Sequence, residues 1–158
     1  MIRAERANED LQAKSQHLNL LYRSLFNGCA DLYKEAQAVY GHPSAMATKV
    51  FWDNMLYWSF TCHLVHQGVY KLSAEDYAPY GEIGILELGN FMQRFLKEWA
   101  EQVPEEQRRE FIGAPHYPSI LVDAHVSTGE RYSLEETLEL MRTRLEQGEQ
   151  AVGELVLR

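Results

Sequence analysis

The chain has 158 residues, 46% hydrophobic and 24% charged, which supplies one domain with a packed core and argues against a disordered protein. Its net charge of -8 argues against nucleic-acid binding, because the densest basic runs, Arg108-Arg109 and Arg142-x-Arg144, are diluted by glutamates. Two cysteines without a C-x-x-C motif, and a polar N-terminus unlike a signal peptide, predict a reduced cytoplasmic protein.

The first segment, residues 4–40, carries Leu11, Leu18, Tyr22, Leu25, Cys29, Leu32, Ala36 and Val39 at helical spacing. The heptad subset Leu11, Leu18, Leu25, Leu32 and Val39 predicts one long straight helix, with Gly28 as the place for a kink. Gly41-His42-Pro43-Ser44 should end it, with Ser44 capping the next helix. The second segment, residues 45–70, places Phe51, Trp52, Met55, Leu56, Tyr57, Trp58, Phe60, Cys62, Leu64 and Val65 around the whole helix. A helix that is apolar all round belongs at the centre of a core. Lys49, Asp53, Asn54, His63, His66 and Gln67 interrupt it too often for a membrane span.

Residues 71–81 read as a tyrosine-rich loop containing Pro79. A third helix is expected over residues 82–102, with Ile85, Leu88, Met92, Leu96 and Trp99 inward, and a short polar helix over 105–111. Residues 113–131 read as irregular, with Ile120-Leu121-Val122 as a strand or buried turn. Ser133-Leu-Glu-Glu136 is a capping box that opens the last helix. The fold class predicted is all-α: one domain over residues 1–158, a bundle of four main helices around a buried central one.

Few motifs carry chemistry. His63-Leu-Val-His66 puts two imidazoles on one helix face, and His116, His125 and Asp123 are the residues available to complete a metal set. Neither H-E-x-x-H nor the Glu-x-x-His of di-iron bundles is present, so the reading preferred is two core histidines and no metal. Asp53 and Asn54 interrupt the apolar helix. Lys49, one turn earlier, is the partner expected for Asp53, because a buried carboxylate needs one. Trp52, Tyr57, Trp58, Phe60, Tyr70, Tyr77 and Tyr80 are core aromatics or the lining of a pocket for an apolar or aromatic ligand. Gly81-Glu-Ile-Gly84-x-x-x-x-Gly89 has the wrong spacing for a dinucleotide fingerprint and suits close helix packing instead. No nucleophile elbow, Walker A loop or cysteine–histidine nucleophile occurs, so no catalytic residue is assigned.

Gly41-His-Pro-Ser-Ala-Met46, Lys49-Val-Phe-Trp-Asp53, Tyr57-Trp58 and Asn90-Phe-Met-Gln-Arg-Phe-Leu-Lys-Glu-Trp99 resemble the helical C-terminal region of flavin-dependent halogenases and related flavoprotein monooxygenases, over residues 15–130. That family's glycine-rich flavin-binding turn, its tryptophan-x-tryptophan-x-isoleucine-proline segment and its catalytic lysine are not in this chain, and Lys49 lies in the wrong context to be that lysine. The resemblance therefore implies an accessory helical part, alone or cut from a longer protein, that covers substrate or contacts a flavoprotein partner without holding a cofactor itself. The function expected is a helical binding module acting with an oxidoreductase partner or on an apolar small molecule. Its ligand-facing residues would come from Trp52, Asp53, Tyr57, Trp58, His63 and His66. The alternatives are a small metalloenzyme using His63 and His66, and a structural protein that self-associates through its first helix.

Overall fold

The computed structural model describes residues 11–34, 36–104 and 116–157, and the short helix expected over 105–111 lies outside them. Among the described residues every regular element is helical. Four long helices frame the molecule: α1 (Leu11–Asp31), α2 (Pro43–Leu56), α5 (Ile85–Gln102) and α7 (Leu134–Val156). Shorter helices lie between them: α3 (His63–Gln67), α4 (Ala74–Gly81) and α6 (Ile120–Ser127). Among the described residues no helix is long and apolar enough to cross a membrane.

The central helix is the one the sequence marks out. Phe51, Trp52 and Met55 are completely buried, and α2 packs against α5, α6 and α7. Beyond Leu56 the helix does not stop. It widens into a π-helical stretch, Tyr57–Cys62, and returns to α-helix in α3. Gly68 ends the run at φ +76°, a left-handed conformation that glycine adopts without a Cβ clash. A second cluster, Val39, Ala45, Leu96 and Ala100, closes the far end of α5.

Several boundaries differ from the sequence reading. The first helix runs without a break through Gly28 and ends at Asp31, and a 3-10 helix, Ala36–Val39, follows. Tyr22, placed on the inward stripe, is 67% exposed, and Leu21 is the buried neighbour. Ser44 is not the cap of α2: His42 Nδ1 accepts the Ala45 N–H at 3.1 Å, with Pro43 in the first turn. The tyrosine-rich stretch is α4, not a loop: Ser73 caps it through the Asp76 N–H, and Pro79 lies inside it at the cost of one backbone hydrogen bond. Ile120-Leu121-Val122 opens helix α6, since Ile120 and Ala124, one turn apart, are both buried against the interior. The capping box forms as read: Ser133 Oγ accepts the Glu136 N–H at 3.2 Å, and the Glu136 carboxylate accepts the Ser133 N–H at 2.7 Å.

Candidate functional site

The π-helical stretch separates two different environments. On one side a cavity of about 220 Å³ opens between α1, the π-helical stretch, α4 and α5. Its wall is mostly apolar, from Leu25, Leu32, Leu56, Phe60, Leu64 and Ile85. Two glycines leave side-chain space on the facing helices. A Cβ at Gly28 would meet only Leu86 Cδ2 at 3.8 Å, and one at Gly89 only Leu56 Cδ1 at 3.7 Å, both ordinary contacts. Tyr77 and Tyr80 stack at 6.1 Å on the α4 wall, and burial raises both phenol pKa values. The Tyr80 hydroxyl donates to the Leu134 carbonyl at 2.9 Å, which fixes that wall to the start of α7.

Polar groups line the cavity sparsely: Tyr57, Thr61, Asn90 and Gln93 among them. Tyr57 is 43% exposed, so it stands where the cavity opens. Its pKa is raised chiefly by the Cys62 thiol beside the hydroxyl, with Cys29 also contributing. Gln93 leads into a network behind the wall. Its amide donates to Asp53 Oδ1 at 3.1 Å, Lys49 Nζ donates to Asp53 Oδ2 at 2.6 Å, and Lys49 also donates to the Leu32 carbonyl at 2.5 Å. The Lys49–Asp53 pair foreseen from their spacing is therefore formed, and it ties α1, α2 and α5 together. Burial pushes the Asp53 pKa up, against the opposing pull of Lys49 and of the Gln93 hydrogen bond.

On the other side of the π-helical stretch lies a buried polar junction with α6 and α7. Ser59 and His63 are completely buried, and Arg144 is 4% exposed. The Arg144 Nη2 donates to Ser127 Oγ. Ser59 Oγ, both His63 nitrogens and Arg144 Nη1 have no hydrogen-bond partner among the described residues. The His63 ring packs against Tyr132 at 5.4 Å, and its pKa is lowered to about 4, first by burial, then by the Arg144 and His66 charges.

The six ligand-facing residues expected from the sequence do not share one site. Tyr57 lines the cavity, and Asp53 reaches its wall through Gln93. Trp52 is buried in the core against the Gly148 face of α7, and Trp58 stacks on His125 of α6 at 4.2 Å. His63 faces the polar junction, whereas His66, one turn on, is exposed. No group of three His, Cys, Asp or Glu residues converges as metal ligands among the described residues, and a guanidinium close enough to depress His63 repels a cation there. Of the aromatic set, Tyr57, Phe60, Tyr77 and Tyr80 line the cavity, and Trp52, Trp58 and Tyr70 do not. The contribution of α1 was missed, although the inward stripe Leu25, Cys29 and Leu32 was its signal. No protein-family model matches the chain, and no curated protein or solved structure is significantly similar to it.

Proposed function

We propose that the chain is a helical binding module that takes a small, largely apolar molecule between α1, α4 and α5. The observation that carries this reading is the cavity itself. Its volume of about 220 Å³ suits a molecule of one or two aromatic rings, and its few polar groups stand among a continuous apolar wall. Burial of an apolar ligand supplies affinity, and the one charged residue of the lining, Asp31, is paired with Lys34. Tyr57, Asn90 and Gln93 offer the hydrogen bonds that would orient it. Self-association through the heptad stripe fits less well, because Leu25 and Leu32 face the cavity. The partner oxidoreductase implied by the halogenase-like resemblance remains compatible with such a module, as a source or consumer of the molecule it holds.

The test fills the cavity from its two glycines. Gly28 and Gly89 both line the cavity, and a Cβ at either meets a single side-chain atom, so Gly28→Leu and Gly89→Leu should fill the space. Binding of indole and 1-naphthol to the purified chain, followed by calorimetry, should be detectable in the wild type and on the order of tenfold weaker in each variant. Thermal melts should show both variants folded. Equal binding in wild type and filled variants places those probes elsewhere and overturns the reading.

A further inference from the structure

The polar junction beneath the π-helical stretch carries an excess of donors. Arg144 is a cation at 4% exposure, yet no carboxylate forms an ion pair with it among the described residues. Asp123 and Glu130 act on it only from longer range. A buried charge without a counter-ion is unfavourable, and proteins answer it by pairing or by neutralising the group. Arginine does not neutralise, because its guanidinium stays protonated. One arm of the fork is spent on Ser127, whose own hydroxyl donates to the Asp123 carbonyl at 2.5 Å. The other arm, Nη1, is buried and unpartnered.

The neighbouring free groups have the same sense. Ser59 and His63 lie four residues apart and are both completely buried where the π-helical stretch meets α6 and α7, and the Arg144 charge acts on His63. Ser59 Oγ does not bond back to its own helix, and His63, neutral in this setting, keeps one N–H to give. Thr128 donates to the Trp58 and Ala124 carbonyls and the Tyr132 hydroxyl to the Glu130 carboxylate, and none of these acceptors takes a bond from Ser59, His63 or Arg144 Nη1. Burial of all three donors limits any guest to a few atoms.

From this juxtaposition we infer that Arg144, Ser59 and His63 form a site for a small monovalent anion of the size of chloride or formate, separate from the apolar cavity. The ion supplies the missing counter-charge of Arg144 and joins the π-helical stretch to α7. It is a structural ligand, and the inference does not rest on the apolar cavity being occupied.

The experiment uses the whole purified chain in sodium gluconate, an anion too large to enter. Thermal melts are recorded as sodium chloride, or in a second series sodium formate, replaces gluconate at constant ionic strength. The midpoint should rise along a saturating curve, by roughly 5–10 °C at a hundredfold excess over the dissociation constant. A response to chloride alone identifies a halide site, and a response to formate alone a carboxylate site. Arg144→Met should abolish the rise, and Ser59→Ala should weaken the fitted affinity on the order of tenfold. No saturating response in the wild type, or the same response in Arg144→Met, overturns the inference and leaves ordered water as the partner of these donors. Should Arg144→Met fail to fold, Ser59→Ala decides alone: an unchanged affinity overturns the site.

Discussion

Asp53 was legible as a residue that needs a partner, and the partner proves to be Lys49, whose side chain is 5% exposed against 24% for the carboxylate. Removing the carboxylate leaves a buried ammonium held only by the Leu32 carbonyl. Asp53→Ala should therefore cost about 3 kcal/mol, at the lower end for a broken buried pair because Asp53 is partly solvated. Changing Lys49 to Met and Asp53 to Leu together should recover much of that loss, since neither charge then remains to be desolvated. Urea melts of the single and double variants check it, and a wild-type-like Asp53→Ala protein would show that the pair bears no weight. His63 makes a second claim at this scale. Its imidazole is held at about 4 in the fold against an ordinary 6.5, so it stays neutral where the unfolded chain takes up a proton. Its contribution to stability is complete above pH 6.5 and is lost as pH falls from 6.5 towards 4, amounting to about 2–3 kcal/mol by pH 4.5. Acidic groups also titrate in that range, so the comparison is with His63→Gln. The wild type should lose that much more stability than the variant between pH 7 and pH 4.5, and parallel curves would mean that His63 titrates normally.

Helix type was legible wherever apolar spacing was long and regular, as in α2, α5 and α7. The shorter helices were not, for reasons that lie in tertiary packing. Ile120 and Val122 are β-branched, which favours extended backbone locally. Burial of Ile120 and Ala124 against the interior outweighs that preference. The π-helical turn of Tyr57–Cys62 leaves no trace in a stretch apolar on every face, because one extra residue per turn changes no visible pattern. Two glycines show how packing separates helices of similar sequence. At Gly148 a Cβ would lie 2.3 Å from Met55 Cε and 3.1 Å from its Sδ, with Trp52 Cζ3 at 3.4 Å. Met55 is completely buried and has little room to yield, so Gly148→Ala should cost about 1–3 kcal/mol despite the better helix propensity of alanine. At Gly28 the space is open, and Gly28→Ala should gain about 0.5–1 kcal/mol from the reduced freedom of the unfolded chain. Opposite shifts in melting temperature check the pair, and two destabilised variants would mean that α1 packs more tightly than its surroundings indicate.

At the scale of the molecule the cavity was the least legible feature, because its walls come from α1, α2, the π-helical stretch, α3, α4 and α5, brought together only by folding. Leu32 and Gln93 are far apart in sequence, and no local pattern marks them as neighbours. The assembly is also uneven. Leu21 is the only fully buried residue of α1, while Leu20, Tyr22 and Phe26 on its outer side are 61–67% exposed. Backbone packing against other elements is sparse for α1 and α4, the two outer walls of the cavity, and dense for α2. Among the contacts that hold α1 are the Lys49 hydrogen bond to the Leu32 carbonyl just past its C-terminal end, the His17–Tyr77 ring contact at 6.2 Å and the side chains that border the cavity. Elements with few buried contacts open at lower free energy than the core. Amide hydrogens of α1 and α4 should therefore exchange through local opening well before those of α2 and α7. The cavity already opens beside Tyr57, and opening of α1 would widen that mouth for the guest of the proposed function. A ligand seated between α1 and α5 binds the closed form alone, so at a hundredfold excess over its dissociation constant it should slow α1 exchange by about a hundredfold where opening limits exchange. Exchange measured by mass spectrometry with and without 1-naphthol tests both statements. If α1 is as protected as α2 without ligand, it is a fixed part of the core and the guest enters by the existing mouth alone. If α1 opens readily but 1-naphthol leaves its exchange unchanged, the helix moves without reference to that ligand.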